Sequence, residues 1–272
     1  DRRAGPARRL CRGCAMSVHL TREGGLGRLT LDRPDKRNAL IQAMWEAIPA
    51  LLAQAEADRE LLVLIVTGAG GHFAAGADIA EFPTVYATPE TSRVYSDAVQ
   101  AAGRALAAFP KPTLALVRGA CVGGGAGLAL ACDLRFADET ARIGITPGKL
   151  GLAYTLADTK RLVDAVGPAR AKDILFSGRL VESEEALRIG LVDFLEPANG
   201  LDDAVRAYAQ GLEAVSHFSL RAMKATIAAI AGGQASETAH SYETYLQGFQ
   251  GEDFREGYAA FLDKRPARFG FR

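Results

Sequence analysis

The chain has 272 residues, 49% of them hydrophobic and 24% charged, which is enough for one large core or two modest ones. Its 32 basic and 32 acidic side chains cancel, so no electrostatic footprint for nucleic acid or an anionic membrane stands out. The longest apolar stretches, Leu61 to Val66 and Leu128 to Cys132, fall far short of the roughly 20 residues that span a bilayer, and no transmembrane helix is expected.

Residues 1 to 15 differ from the rest. Arg2, Arg3, Arg8, Arg9 and Arg12 face only Asp1, which leaves +4 on this segment and −4 on the remainder of a chain with net charge zero. A transit peptide fits the arginines but not the lack of serine. A basic arm is a second reading. The third, preferred because an ordinary strand begins at Ser17-Val18-His19-Leu20, is a non-native or disordered tail ahead of a start at Met16. Cys11 and Cys14 form a CxxC with no second pair at zinc-site spacing, so no metal site is expected. Four cysteines without a secretory apolar segment point to a reducing compartment, the cytoplasm.

Val18 to Asp32 reads as a hairpin broken at Glu23-Gly24-Gly25-Leu26-Gly27. A polar loop follows, Asp32 to Asn38, and Asn38 is placed to cap a helix over Ala39 to Asp58 that Pro49 should kink or split. Leu61 to Thr67 is a buried strand, and Thr88 to Phe109 is a helix ended by Pro110 and Pro112. Thr113 to Val117 and Asp133 to Ala137 are strands flanking a glycine cluster and a short apolar helix within Gly119 to Cys132. Beyond Gly151 the pattern turns helical, with runs at Leu156 to Val166, Pro168 to Phe176, Ser183 to Ile189, Ala204 to Ala214 and Leu220 to Ala231. Strands early and helices late predict an α/β core over 16–198 and a helical C-terminal part over 199–272, joined by a linker near 195–202.

Two glycine-rich turns each follow a strand. Gly123-Gly124-Gly125-Ala126-Gly127 lacks the GxGxxG register, and the segment has no phosphate-loop Lys. No GxSxG elbow exists, and none of the four histidines sits in a Ser or Cys nucleophile pattern. What remains are two small-residue backbone stretches, Ala75-Gly76-Ala77 and Gly123-Gly124-Gly125. Free N–H groups there can bind developing negative charge, or the glycines simply permit close strand-to-helix packing.

Together, His72-Phe73-Ala74-Ala75-Gly76-Ala77-Asp78-Ile79 and Arg118-Gly119-Ala120-Cys121-Val122-Gly123-Gly124-Gly125 resemble the two signatures of the enoyl-CoA hydratase/isomerase (crotonase) superfamily. Asp32 to Leu40, Ala131-Cys132-Asp133, Phe176-Ser177-Gly178 and Ala186 through Val192 agree, so the likeness runs from about residue 18 to 269. The resemblance implies a spiral of repeated ββα units, a helical C-terminal trimerisation region, assembly as a trimer or dimer of trimers, and an acyl-CoA substrate. Coenzyme A would enter as part of that substrate, with no other cofactor. The thioester oxygen would lie between the N–H groups of Ala77 and Gly124, where losing one donor typically costs roughly 3 kcal/mol of barrier. Ala75, Asp78 and Ile79 in the first signature, and Lys36, Arg37 and Ala39 in the first loop, fall at substrate- or CoA-binding places. Phe261 and Lys264 resemble the C-terminal segment that reaches a CoA; the basic positions Lys36, Arg37 and Lys264 read equally as solvated charges. Asp78 reads as well as a brace for its own loop, and His72 as structural.

A hydratase of this family carries one Glu four residues after the first glycine of the triplet and another twenty further on, for acid–base work. Gly127 and Pro147 stand there, and a third carboxylate place, like that of dienoyl-CoA isomerases, falls on Thr155. Glu81, Asp97 and Asp158 are the other acids near segments expected to face the acyl pocket. Decarboxylation of a malonyl-type CoA ester needs no base, and Ile145 to Tyr154 resembles a segment of methylmalonyl-CoA decarboxylases, which makes Tyr154 a candidate orienter of a substrate carboxylate or else a core aromatic. Those decarboxylases carry His where Ala77 stands and an acid near Gly127. Three functions therefore compete: an enolate-stabilising acyl-CoA lyase, a decarboxylase, and a catalytically silent acyl-CoA-binding or assembly subunit.

Overall fold

The computed structural model describes the backbone of Arg8–Arg9 and residues 17–269. Cys11, Cys14 and the other expectations for the first sixteen residues lie outside what is described, apart from strand β1, Arg8–Arg9, which pairs with Arg22 and Thr21. The hairpin forms, from β2, Val18–Glu23, and β3, Leu26–Leu31, with a turn of only Gly24-Gly25, since Glu23 and Leu26 pair rather than belonging to the expected break. Helix α1 covers Gln42–Ala57 and contains Pro49 without ending there, contrary to a split. Strand β4, Val63–Gly68, lies parallel to β3. Helices α2, Phe82–Val85, and α3, Pro89–Ala107, follow, the latter capped by Thr88.

Strands β5, Thr113–Val117, and β6, Ala120–Val122, lead into helix α4, Gly124–Ala131, and strand β7, Leu134–Asp138. The sequence pattern gave no sign of three short strands, β8, Arg142–Gly144, β9, Leu180–Glu182, and β10, Phe194–Glu196. Each has only three residues, too few to show a period of two. Helix α5, Leu156–Ser177, joins the two runs expected between Leu156 and Phe176, and Gly167 at φ 75° and ψ 164° marks the bend between them. Helices α6, Ser183–Arg188, α7, Leu201–Glu213, α8, His217–Ala231, α9, Ala239–Gln250, and α10, Glu252–Leu262, complete the chain.

The main sheet has the order β1-β2-β3-β4-β5-β7-β10, parallel from β3 onward, and β6, β8 and β9 form a second, small sheet. Strands buried on both faces read as continuous apolar runs, as β4 and β5 do. Alternation along them divides the core in two. Leu64, Val66, Ala115 and Val117 join the large cluster under α1, α3 and α4, while Val63, Ile65, Leu114 and Leu116 meet Leu201, Val205 and Ala209 of α7. The segment expected as a linker is therefore partly sheet, since Leu195 and Glu196 pair with Ala137 and Asp138. Among the described residues no helix is long and apolar enough to cross a membrane.

Asn38 is not the helix cap expected. Ile41 holds the N-cap position of α1 without a side-chain bond, and Glu81 Oε2 accepts from Gln42 N at 2.8 Å instead. Asn38 is fully buried with φ 57°, a left-handed conformation that asparagine tolerates better than most residues. Its Oδ1 accepts from Arg33 N at 2.9 Å, and its Nδ2 donates to Ala69 O at 2.8 Å and His72 O at 2.7 Å. One side chain thus ties the first loop to the turn after β4. Asn38→Ala should remove three hydrogen bonds to part-buried partners and lower unfolding free energy by roughly 3 kcal/mol; a loss below about 1 kcal/mol in denaturant titration would contradict this role.

Candidate active site

Two segments distant in sequence run side by side to make the site. Ala74 N donates to Ala120 O and Val122 N donates to Ala74 O, each at 2.9 Å. On the other edge, Leu40 N donates to Gly76 O at 2.7 Å and Asp78 N to Leu40 O at 2.9 Å. Ala77 is the residue whose own N–H these pairings skip, and it has no hydrogen-bond partner among the described residues. Gly76 takes φ 103°, and a Cβ there would stand 3.0 Å from Val122 O, so glycine lets the two turns close on each other.

Gly124 opens α4, and N–H groups in the first turn of a helix lack intrahelical acceptors. The Gly124 N–H has no partner among the described residues. The carbonyl of the same peptide unit, Gly123 O, accepts from Gly127 N at 3.0 Å and from the Tyr154 hydroxyl at 3.3 Å. Because the peptide is trans, its N–H points opposite to that carbonyl, out of the helix start.

Both residues line one cavity of about 340 Å³. Ala75, Gly76, Ala77 and Ile79 form one wall with Gly123 and Gly124, and Phe82, Tyr86, Tyr95 and Val99 form the side contributed by α2 and α3. Leu150, Leu152, Tyr154, Thr155 and Asp158 close the third side. A largely apolar cavity with a few polar groups is the usual form of a small-molecule site.

The structure thus gathers Ala75, Ala77, Ile79, Gly124 and Tyr154 on one surface. Lys36, Arg37, Ala39, Asp78, Phe261 and Lys264 are not on it. Lys36 and Arg37 expose their side chains, and Arg37 serves the site through its carbonyl, which accepts from Ala75 N at 2.9 Å. Ala39 similarly offers its carbonyl to Arg33 Nη1 at 2.7 Å. Asp78 braces its loop, pairing with Arg33 at 2.9 Å and accepting from Ala80 N. Burial alone would raise the Asp78 pKa, but the Arg33 and Ala80 hydrogen bonds outweigh it and hold the carboxyl below its ordinary range. His72 is structural, its Nδ1 accepting from Ala120 N at 3.0 Å. Phe261 is 83% exposed on α10, and Lys264 follows that helix with φ 53°.

Pro147 and Thr155 do reach the cavity wall, and Thr155 caps α5 by accepting from Asp158 N at 3.1 Å. Of the three further acids, Glu81 is engaged at the start of α1, and Asp97 is exposed on α3 away from the cavity. Asp158 remains, the single carboxylate among the described residues of the lining. Tyr154 carries a hydroxyl whose pKa is pushed well up, first by burial and next by the Asp158 charge. It is a neutral donor at any ordinary pH.

Sequence reasoning missed Trp45 and Tyr95, whose rings also line the cavity. The indole stands against Gly124, so close that a Cβ on that glycine would lie 2.8 Å from it. Trp45 Nε1 and Tyr95 Oη lie near one another yet outside hydrogen-bond geometry, both buried and without a partner among the described residues. Burial pushes the Tyr95 phenol up to about 12. Nothing in the one-dimensional pattern brings the α1 tryptophan to a turn some 80 residues downstream; its helical spacing marks it only as core.

Comparison with known proteins identifies the family. A family model described as enoyl-CoA hydratase/isomerase matches residues 21–272. A Hyphomonas neptunium crystal structure assigned to the enoyl-CoA hydratase/isomerase family is 44% identical, with a TM-score of 0.92 over 94% of this chain and 98% of that one. An enoyl-CoA hydratase/carnithine racemase from Magnetospirillum magneticum is 32% identical with a TM-score of 0.91, covering 95% and 97% of the two chains. The human mitochondrial enoyl-CoA hydratase domain-containing protein 2 is 34% identical over 255 residues, 90% of this chain and 85% of that protein. With both signatures folded against each other around one cavity, the chain belongs to the enoyl-CoA hydratase/isomerase family.

Proposed function

We propose that this chain is a CoA-thioester lyase that stabilises an enolate of its acyl-CoA substrate between the backbone N–H groups of Ala77 and Gly124. The observation that carries the reading is the pair of unpartnered N–H groups on residues that share the wall of a single apolar cavity. When the α-carbon of a thioester becomes anionic, charge gathers on the carbonyl oxygen, and fixed donors in a water-poor site favour it without reorganising. Coenzyme A is part of the substrate under this reading, and the chemistry calls for no further cofactor.

The usual Glu pair is replaced by Gly127 and Pro147, so proton transfer cannot come from those places. Base-free decarboxylation of a malonyl-type CoA ester is the rival. Tyr154 lies on the cavity wall, as that rival requires, but its hydroxyl already donates to Gly123 O. That bond fits a residue holding the Gly123–Gly124 peptide better than one binding a substrate carboxylate. The proposal extends to self-association. Tyr242, Tyr245, Phe249, Phe254 and Tyr258 form a chain of ring contacts along α9 and α10, each about half exposed, which is a large apolar face for one chain to leave uncovered. A CoA-binding role for Phe261 and Lys264 would then come through a neighbouring copy, because the single chain does not bring them to the cavity.

Crotonyl-CoA and methylmalonyl-CoA, offered separately, decide between the two reactions. Loss of enoyl absorbance at a rate on the order of 1 to 10³ per second is the expected result; carbon dioxide release without hydration would establish the decarboxylase, and inactivity toward both with retained acyl-CoA binding would favour the silent subunit. Tyr154→Phe should lower kcat about 3- to 10-fold with KM nearly unchanged, since it removes one neutral hydrogen bond worth about 1 kcal/mol from a donor peptide. A rise in KM at constant kcat would instead place the hydroxyl on the substrate.

A further inference from the structure

The space at Gly127 is already filled by other groups. A Cβ built on Gly127 would stand 3.0 Å from the Tyr154 hydroxyl and 3.5 Å from Asp158 Oδ1. A Cβ here would press on the Tyr154 hydroxyl and touch the Asp158 carboxylate, so a longer side chain leaving α4 would run into both. The Asp158 carboxylate therefore occupies, from the first turn of α5, the region a longer residue at 127 would enter from α4.

Asp158 is also held in a definite orientation. Its Oδ2 accepts from Thr155 Oγ1 at 2.7 Å and its Oδ1 from Arg161 Nη1 at 2.6 Å. Arg161 is itself anchored through Nη2 to Gly103 O on α3 at 3.2 Å. These bonds use one acceptor site on each carboxylate oxygen, and an ionised carboxylate has about four such sites. The side chain is 17% exposed, and it lines the same cavity as Ala77 and Gly124.

We propose that Asp158 is the acid–base carboxylate of this site, relocated from α4 to α5 and made possible by glycine at 127. The proposal rests on the enolate reading above. In the direction from a 3-hydroxyacyl-CoA to an enoyl-CoA, Asp158 removes the α-proton, and the C–H pair becomes the enolate whose oxygen meets the Ala77 and Gly124 N–H groups. The enolate then collapses, the β-carbon to oxygen bond breaks, and the leaving hydroxyl takes the proton from Asp158 to depart as water. Arg161 and Thr155 are positioning residues, fixing which carboxylate lone pairs remain open.

Exchange of the α-hydrogens of butyryl-CoA with deuterated water tests this, because exchange needs a base and an enolate site but no leaving group. The wild-type protein should exchange, and Asp158→Asn should lose roughly 10²- to 10⁴-fold in exchange rate, the usual contribution of a positioned acid–base group, while binding butyryl-CoA within a few-fold by calorimetry. Asp158→Glu should recover part of the rate, which separates chemistry from folding. Undiminished exchange in Asp158→Asn would overturn the assignment and leave the enolate reading standing. Absence of exchange in the wild-type protein would overturn both.

Discussion

The site depends on one backbone ladder: Ala74 N to Ala120 O and Val122 N to Ala74 O, each 2.9 Å long. These bonds hold the connector after β4 against the strand before α4, and so fix Ala77 and Gly124 on a common wall. The bonds that support the ladder are part-buried and lie close around it. Asn38 clamps the first loop to the turn after β4, Arg37 O takes Ala75 N, and His72 Nδ1 takes Ala120 N. The polar residues His72 and Asp78, which could have been read as chemistry, are spent on bonds that tie these loops together, His72 to Ala120 N and Asp78 to Arg33 and Ala80 N.

A donor made from backbone survives substitution of its side chain, whereas a carboxylate survives only if the chain still provides room and a route. Under the proposed assignment the carboxylate enters from α5. With glycine at 127, the helix that supplies the Gly124 N–H carries no acid toward the cavity, and α5 approaches closely enough for Tyr154 and Asp158 to fill the gap. The same approach lets Tyr154 bond to Gly123 O, so the peptide that offers the Gly124 N–H is gripped from behind by the loop that precedes the acid. Glycine at one position and aspartate at another are two parts of a single packing solution.

Much of this was legible in the sequence because it is carried by periods and by glycine. The continuous apolar runs of β4 and β5, the long helices and the two glycine turns all leave patterns that need no third dimension, and the strand at Thr113–Val117 has the ends its apolar run predicts. Signals carried by single residues were read less well. Asn38 before an apolar run has the pattern of a helix cap, but its left-handed backbone and burial commit it to tertiary bonds. Pro49 has the pattern of a break, yet α1 passes through it, with Ile48, Leu51 and Leu52 packed on both sides. The three-residue strands β8, β9 and β10 are held by their neighbours rather than by their own composition. For the site, the motifs point to Ala75, Ala77, Ile79, Gly124 and Tyr154, which share one cavity wall, and also to Lys36, Arg37, Ala39, Asp78, Phe261 and Lys264, which do not reach it, while the places of Trp45, Tyr95 and Asp158 on that wall emerge only once the helices are packed.

Arg161 shows how far the acid's environment reaches into the fold. Its guanidinium spans from Asp158 to the carbonyl of Gly103, a residue on α3 that has no side chain to stand in the way. Helix α3 also carries Tyr95 and Val99 to the cavity lining. A shift of α3 that widened the acyl side would therefore pull on the arginine that orients the carboxylate. Pocket size and acid geometry are mechanically joined through one side chain. A larger acyl group that pushes on α3 is then expected to disturb proton transfer as well as fit, whereas one that leaves α3 in place should find Asp158 already set.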